Sequence, residues 1–421
     1  MKIGKRAGAY HRRNWHRSQH PEWRHLRWFS AALGAMALLV LVSASSAAVS
    51  EPVPLERIAF ELIDNRIFVN VMINGHGPFH MILDTGAGLA VSPEVAKKAG
   101  LIAGSTREDG GVGEKSVRAQ DTHVRELSVG SLRFSNLECS IIVTDDSPYV
   151  FGKVPVDGFL GSEVFEKYVV RHDYQHRELT FYDPKSHIYS GNGESVPFER
   201  QGNIPVIHAT FDGIDGRFGV DTGARSALIL YGPFVADHQL AEKYQPKFQG
   251  VSGWGLGGPV RSYMVRSQSL KIGPFELHGL VARLSLNKSG ATVSTSKAGL
   301  IGPDVLKQFT FICDYARQRL IFEKNSAFGL RDNYDRAGVW LAQKGDAFEV
   351  FDVLLGGPAE KAGLKVGDRV LTIDGKDTAQ IALTELRDHW KTAEPGTVVK
   401  LQVQNASHEK REVQLVLRDL V

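Results

Sequence analysis

The tetrapeptide Asp-Thr-Gly-Ala occurs twice in this chain of 421 residues, and each copy lies within a longer repeated pattern. In both copies an apolar stretch precedes the tetrapeptide, a glycine-bearing segment follows it, and a Gly-apolar-apolar-Gly element completes the pattern. The corresponding blocks are residues 84–87 and 221–224, residues 110–113 and 250–253, and residues 158–161 and 299–302. Blocks that recur in the same order predict two structural units of the same architecture. The chain is therefore expected to fold around a duplicated body.

Each repeat has the pattern of short β-strands. Residues 67–73 are apolar apart from Asn70, and an Asn-Gly or Asp-Gly pair typical of hairpins lies at 74–75 and at 212–213. An apolar run then leads to each aspartate. We therefore predict a mainly β protein with two duplicated lobes, each a closed, barrel-like sheet. From the repeat boundaries, the lobes cover residues 51–190 and 191–330.

The first 50 residues differ in composition from the rest of the chain. A segment rich in Lys and Arg leads into an apolar stretch at 28–42, and small residues follow at 43–48. This order is typical of a signal peptide, and the apolar stretch also approaches the length of a membrane anchor. The sequence leaves both interpretations open. Either one places the remaining chain outside the cytoplasm, in the periplasm or elsewhere in the cell envelope.

The net charge and the cysteines exclude two classes of function. The formal net charge is +3, but the excess of basic residues lies in the leader, and the remaining chain is mildly acidic. We therefore expect no nucleic-acid partner, since a basic surface is needed to attract phosphate backbones. Cys139 and Cys313 are the only cysteines, too few for a cysteine-rich zinc site. No metal or other cofactor is predicted, and a disulfide between the two cysteines is left open.

The duplicated aspartates, Asp84 and Asp221, predict a pair of catalytic carboxyl groups. A pseudo-twofold axis between equivalent lobes would bring the two side chains face to face. Two carboxyl groups about 3 Å apart share one proton. The ionised group can then activate a water while the protonated group hydrogen-bonds to a peptide carbonyl. This arrangement is suited to the hydrolysis of peptide bonds.

The residues after each aspartate are predicted to support the active-site loops. We expect the threonines to hydrogen-bond across the two loops and the glycines to permit a tight turn and the close approach of a substrate. The supporting residues are Thr85, Gly86, Ala87, Thr222, Gly223 and Ala224.

These motifs resemble those of the retropepsin-like aspartic peptidases of clan AA, over both lobes. The resemblance implies that both aspartates of the dyad come from one chain and that glycine-bearing hairpins form flaps over the cleft. The flap residues are then Gly111, Val112, Gly113, Val251, Ser252 and Gly253. Retroviral members have an acidic residue after the alanine, where this chain has Gly88 and Arg225. Unless Arg225 points to solvent, its charge is expected to lower the pKa of the aspartate pair.

A third, α+β domain is predicted for residues 331–421. Residues 357–375 have the pattern of a short helix, a turn, a strand and an Asp-Gly hairpin, and they resemble the PDZ domain of bacterial envelope peptidases. The resemblance implies a groove for an extended peptide beside a helix at 383–390. The remaining groove residues are Gly338, Val339, Trp340 and Leu341. Whether this domain binds a peptide or only packs on the lobes is left open.

The function predicted from these features is that of an aspartic endopeptidase of the cell envelope that acts on extended or unfolded polypeptides. The chain is attached to the membrane if its leader is not cleaved. Two alternatives are a catalytically silent scaffold that binds peptides and a peptidase that a peptide on the PDZ-like domain activates. The presence of both aspartates favours an active enzyme over the scaffold.

Overall fold

A computed structural model describes residues 53–143 and 147–421. The predicted leader, residues 1–50, lies outside the described residues. Strands greatly outnumber helices in the described part, which confirms the prediction of a mainly β fold. Within the same ranges, no helix is long and apolar enough to cross a membrane.

The first lobe contains strands β1 to β11 and helices α1 to α3. The strands are β1 (Glu56–Ala59), β2 (Glu61–Ile63), β3 (Arg66–Ile73), β4 (His76–Leu83), β5 (Ala90–Val91), β6 (Thr106–Asp109), β7 (Val117–Val129), β8 (Leu132–Ile142), β9 (Gly158–Leu160), β10 (Val169–Asp173) and β11 (Glu178–Tyr182). The helices are α1 (Pro93–Lys98), α2 (Ser147–Val150) and α3 (Ser162–Lys167). Asn74 and Gly75 connect β3 to β4 and both have positive φ, as their hairpin sequence predicts.

Strands β2 to β9 of the first lobe close into a barrel. Their hydrogen-bonded order is β2-β3-β4-β9-β5-β8-β7-β6, and the long strand β7 returns to pair with β3. β9 lies parallel to β4, with Leu160 opposite Leu83. Gly158 permits this packing, because a Cβ there would lie 2.1 Å from the carbonyl oxygen of Ala90. The Gly-apolar-apolar-Gly element therefore supports the loop that follows β4 and carries Asp84.

The second lobe repeats this arrangement. Its strands are β12 (Glu194–Pro197), β13 (Glu199–Gln201), β14 (Ile204–Phe211), β15 (Ile214–Val220), β16 (Leu228–Leu230), β17 (Gln249–Gly255), β18 (Gly258–Arg266), β19 (Ser269–Ile272), β20 (Phe275–His278), β21 (Val281–Ser285), β22 (Gly299–Ile301), β23 (Phe309–Asp314) and β24 (Arg319–Lys324). Its helices are α4 (Gly232–Asp237), α5 (Leu240–Tyr244) and α6 (Pro303–Leu306). β22 lies parallel to β15 as β9 does to β4, and β16 lies parallel to β21 as β5 does to β8. The predicted duplication is thus visible in the strand pairing.

A separate six-stranded sheet joins the two lobes, in the order β1-β11-β10-β23-β24-β12. At its centre β10 pairs with β23, and His172 lies opposite Phe311. Burial lowers the pKa of His172 to about 4, so this imidazole is neutral at physiological pH. Because strands of both lobes belong to one sheet, the two barrels are held in a fixed relation to each other.

The third domain is an α+β unit with its own core. Its elements are β25 (Val339–Lys344), β26 (Ala347–Val353), α7 (Pro358–Lys361), β27 (Arg369–Ile373), β28 (Lys376–Asp377), α8 (Leu383–Thr392), β29 (Val398–Gln404) and β30 (Lys410–Val416). The core includes Phe348 of β26 and Trp390 of α8. Lys391 of α8 binds the carboxylate of Asp304 in the second lobe at 2.8 Å. The domain and the two lobes form one compact unit.

Candidate active site

Asp84 and Asp221 follow the equivalent strands β4 and β15, and their carboxyl groups meet between the lobes. A hydrogen bond joins the two carboxyl groups. Oδ1 of Asp84 accepts one backbone N–H, from Gly86 (2.7 Å). Oδ1 of Asp221 accepts two, from Gly223 (2.8 Å) and Ala224 (3.0 Å). Because N–H donors favour the ionised form of a carboxyl group, Asp221 is the better stabilised anion of the two.

Both carboxyl groups hold a proton more tightly than an ordinary aspartate does. Burial raises the pKa of Asp84 to about 8, and the negative charge of Asp221 adds to the rise. Burial also raises the pKa of Asp221, although the N–H groups of Ala224 and Gly223 and the hydrogen bond from Asp84 oppose it. The N–H donors that oppose this rise act more strongly on Asp221, so a proton shared by the pair resides mainly on Asp84.

Thr85 and Thr222 join the two active-site loops through four hydrogen bonds. The backbone N–H of each threonine donates to the hydroxyl oxygen of the other, at 3.0 Å in both cases. The hydroxyl of Thr85 donates to the carbonyl oxygen of Val220 (2.7 Å), and that of Thr222 donates to Leu83 (2.9 Å). Both threonines are fully buried, so a lost partner would leave an unsatisfied polar group. This exchange of bonds fixes the two aspartates relative to each other.

The glycine of each motif lies against the carboxyl group of the opposite lobe. A Cβ on Gly223 would lie 2.1 Å from Oδ2 of Asp84, far inside the distance that any side chain could occupy. A Cβ on Gly86 would lie 3.5 Å from Cγ of Asp221, which is an ordinary contact. Gly223 is therefore the glycine that the dyad geometry requires.

Ala87 and Ala224 complete the two loops and pack on the Gly-apolar-apolar-Gly elements. A Cβ on Gly161 would lie 2.1 Å from the carbonyl oxygen of Ala87, and one on Gly302 would lie 3.0 Å from the Cβ of Ala224. The last glycine of each element is thus needed because the active-site loop lies directly on it.

A buried arginine that the sequence analysis did not identify, Arg66, lies beside the dyad. Its Nε donates to the carbonyl oxygen of Gly223 (2.7 Å), and its Nη1 donates to the carboxylate of Asp64 (2.6 Å). The positive charge of Arg66 opposes the rise in pKa of both dyad carboxyl groups. The second lobe has Asn203 just before β14, where the first has Arg66 at the start of β3, so this cation acts from one side only. Its signal in the sequence was a charged residue at the start of a strand in which Asn70 is the only other polar residue.

Arg225 binds Asp64 rather than the dyad or solvent. Its Nε and Nη2 lie 3.0 and 2.8 Å from Oδ1 of Asp64, and its guanidinium group lies over the ring of Trp340. Asp64, which the sequence analysis also missed, therefore bridges Arg225 and Arg66. The expectation that Arg225 lowers the pKa of the pair is wrong, because Asp64 compensates its charge while burial raises both dyad pKa values.

The predicted flap residues of the first lobe, Gly111, Val112 and Gly113, lie in the loop between β6 and β7. This loop rests on the second lobe, where the N–H of Gly113 donates to the carbonyl oxygen of Leu256 (3.1 Å). A Cβ on Gly113 would lie 2.3 Å from the carbonyl carbon of Gly257. The two lobes therefore touch through their glycine-bearing segments.

The predicted flap residues of the second lobe, Val251, Ser252 and Gly253, lie within β17. The tip of the hairpin falls at Leu256 and Gly257, between β17 and β18. Ser252 is buried, and its hydroxyl donates to that of Ser262 on β18 (2.9 Å). These residues therefore form the body of the hairpin, which we call the second-lobe hairpin (residues 249–266).

The predicted groove residues of the third domain lie beside α8. Gly338 precedes β25, and Val339, Trp340 and Leu341 form its first half. Trp340 and Leu341 are buried, and Nε1 of Trp340 donates to the carbonyl oxygen of Tyr149 in the first lobe (3.0 Å). The chain's own residues therefore cover part of the predicted peptide-binding surface.

Cys139 and Cys313 are buried free thiols, and no disulfide joins them. Among residues 53–143 and 147–421, no group of His, Cys, Asp and Glu side chains is arranged to hold a metal ion.

Comparison with known proteins locates two family signatures in the chain. Residues 69–164 match the model of the aspartyl protease family, and residues 349–405 match that of the PDZ domain. The first match contains the Asp84 motif and ends before the Asp221 motif. Among solved structures, the aspartic proteinase from Irpex lacteus is similar, with 16% sequence identity and a TM-score of 0.45 over 65% of this chain and 98% of that one. No curated protein matches the chain.

Proposed function

We propose that this chain, which joins an aspartyl-protease-like region to a PDZ domain, is an aspartic endopeptidase with Asp84 and Asp221 as its catalytic dyad. The observation that carries the proposal is that two half-buried carboxyl groups, both with raised pKa values, meet at the junction of two duplicated lobes. A pair with one proton can act as base and acid in the same step. The threonine bonds between the loops support the proposal, since they hold the pair in a fixed geometry.

In the proposed reaction a water molecule between the carboxyl groups is the nucleophile. Ionised Asp221 takes a proton from the water as its oxygen attacks the carbonyl carbon of the substrate, and Asp84 gives its proton to the carbonyl oxygen. The resulting tetrahedral diol then breaks its C–N bond. One diol proton returns to the dyad and a proton passes from the dyad to the amine, so the pair again holds one proton.

The proposed mechanism sets the pH range of activity. The dyad must hold one proton, and this state is lost when Asp84 ionises near its pKa of about 8. Because burial also raises the pKa of Asp221, the acid limb of the profile lies above the range of an ordinary aspartate. We therefore expect an optimum in the weakly acidic to neutral range rather than in strong acid.

The substrate class follows from the position of the dyad between the lobes. A cleft between two barrels, crossed by the second-lobe hairpin, suits an extended or unfolded polypeptide better than a folded protein. We further propose that the enzyme works outside the cytoplasm, in the cell envelope, because the composition of residues 1–50 is that of a signal peptide or membrane anchor.

The test is cleavage of an unfolded protein and of a peptide library by the full chain between pH 4 and 9. Asp84→Asn and Asp221→Asn are each expected to reduce kcat/KM by roughly 10³-fold or more, since each removes one partner of the acid–base pair. Asp237→Asn, a change at an exposed aspartate on α4, is the matched control and should retain full activity. Cleavage that survives both dyad changes would overturn the proposal. An inactive wild-type chain would favour the silent peptide-binding scaffold.

A further inference from the structure

A segment of the first lobe lies in the place where the PDZ domain would hold a ligand, between β25 and α8. We call residues 149–153 the groove segment. Arg387 of α8 donates to the carbonyl oxygens of Val150 and Tyr149, the latter at 2.8 Å. Nε1 of Trp340 on β25 donates to the same Tyr149 oxygen (3.0 Å). Side chains from both walls of the groove therefore bind main-chain carbonyls of the first lobe.

The rest of the groove segment follows α8 closely. A Cβ on Gly152 would lie 3.0 Å from the Cβ of Leu383 on α8, and Gly152 has a φ of +64°. Glycine is therefore suited to this position both by its backbone conformation and by its close approach to the helix. Lys153 then pairs with Asp346 at 3.2 Å, between β25 and β26.

The backbone N–H groups just before β25 also have an internal partner. Oδ1 of Asp335 accepts the N–H groups of Ala337 and Gly338, each at 2.9 Å. These donors lie at the end of the groove where a bound peptide would place its terminal carboxylate. The carboxylate of Asp335 thus occupies the place of a ligand carboxylate, and the groove segment occupies the place of the ligand chain.

The groove segment also contacts the second-lobe hairpin. The ring of Tyr149 stacks on Trp254 of β17, with centroids 4.4 Å apart and planes 8° from parallel. Trp254 in turn packs edge-on against Phe351 of β26 at 5.1 Å. Tyr149 therefore contacts two elements at once: its carbonyl oxygen is bound in the PDZ groove, and its ring packs on the second-lobe hairpin.

The PDZ domain binds the same hairpin directly. The carboxylate of Asp352 accepts the N–H of Val251 (2.7 Å) and an N–H of Arg261 (2.7 Å), one on each strand of the hairpin. Leu354 lies so close to Gly250 that a Cβ there would be 2.5 Å from its Cδ2. These contacts oppose any movement of the hairpin away from the third domain.

We propose that the groove segment is an internal ligand of the PDZ domain and that it latches the second-lobe hairpin in place over the cleft. The restraint on substrate entry rests on the proposed peptidase function; the occupation of the groove does not. A polypeptide whose main-chain carbonyls replace those of Tyr149 and Val150 at Arg387 and Trp340 releases the latch. The partner that fits is therefore a peptide strand, and it competes with the chain itself.

Hydrogen exchange in the inactive Asp84→Asn protein tests the latch without any need for catalysis. In that background Trp340→Phe removes one donor to Tyr149 and keeps an aromatic ring, and Arg387→Lys removes the paired donors and keeps the charge. Each is expected to speed exchange of the amides in residues 147–154 and 249–255 together, by roughly five- to tenfold, as the loss of one or two hydrogen bonds predicts. Arg369→Lys, at an exposed arginine of β27, is the matched control and should change neither segment.

Two exchange results would overturn the latch: no change in either segment, or faster exchange in residues 147–154 with residues 249–255 unchanged. The activity arm uses the same variants with Asp84 restored. We expect kcat/KM for a long peptide to rise about three- to tenfold, because the hairpin moves more easily. A fall in kcat/KM with faster exchange would show that the contact supports the active form, and would also overturn the latch. A parent chain without activity would refute the peptidase, while the exchange result would still decide whether the groove is occupied.

Discussion

Replacing Asp84 with asparagine should make the folded protein more stable at alkaline pH while leaving its stability near pH 4 unchanged. The pKa of Asp84 is raised to about 8, mainly by burial, so the folded protein holds this proton more tightly than the unfolded chain does. Stability from this group is fully present below the ordinary pKa of 3.8 and is lost as the pH rises towards 8. Asparagine has nearly the same shape as aspartate but does not ionise, so the variant does not lose this stability as the pH rises.

The size of the effect follows from the two pKa values. The change from 3.8 to about 8, converted at about 1.4 kcal/mol per pH unit, sets an upper limit of about 6 kcal/mol at pH 8. Local relaxation and water penetration reduce the cost of a buried charge. We therefore expect Asp84→Asn to be more stable than the wild type by roughly 3 kcal/mol at pH 8 and by nothing measurable at pH 4.

Urea unfolding followed by tryptophan fluorescence, at intervals between pH 4 and 8, measures this difference directly. The other titrating groups are common to both proteins and cancel in the comparison, except Asp221, whose pKa depends on its hydrogen bond with Asp84. The Asp237→Asn change, at an exposed aspartate of α4, is the matched control in the same pH series. If the difference between Asp84→Asn and wild type stays flat across this range, the carboxyl group does not hold its proton in the folded state and the assignment of the shared proton to Asp84 is wrong.

Two further changes test the support of the dyad. Gly223→Ala should reduce kcat/KM by about 100-fold or more. Its Cβ would lie 2.1 Å from Oδ2 of Asp84 and would displace that carboxyl group, and a misplaced catalytic group slows the reaction steeply. Gly110→Ala, where nothing lies within 4 Å of the added Cβ, is the control and should be neutral in the same assay. Arg66→Met removes the cation that favours ionised carboxyl groups, so the alkaline limb of the pH–rate profile should move up by about one pH unit. Arg66→Lys should restore the limb, and an unmoved limb in Arg66→Met would show that Arg66 serves only to hold the loop of Gly223.

The sequence predicted those parts of the fold whose local pattern occurs in both lobes. The Asp-Thr-Gly loops and the glycine elements beneath them recur with the same neighbours, so each copy supports the interpretation of the other. The hairpin turn at Asn74 and Gly75 could also be predicted, because both positions have positive φ and asparagine and glycine are the residues that adopt positive φ most easily. The PDZ domain could be predicted without a repeat, because its short helix, turn, strand and hairpin follow one another closely along the chain.

The parts that sequence did not predict depend on how distant segments meet. Arg66 acts on the dyad only because its strand brings it to the carbonyl group of Gly223 in the other lobe. Arg225 follows the dyad loop directly, yet its charge is taken by Asp64, which no local pattern indicates. The flap residues predicted for the second lobe, which end at Gly253, precede the tip of its hairpin, where the glycines with positive φ are Gly257 and Gly258.

The sheet shared by the two lobes also affects how the chain is made. β10 has β11 as a neighbour on one side and β23, Phe309–Asp314, on the other, so one edge of β10 stays unpaired until the second barrel has been synthesised. An unpaired edge is a template for pairing with other chains, and contacts between distant segments form slowly. The duplication that places both aspartates in one polypeptide thus leaves the first half of a nascent chain open to aggregation until nearly the last strands of the second half emerge.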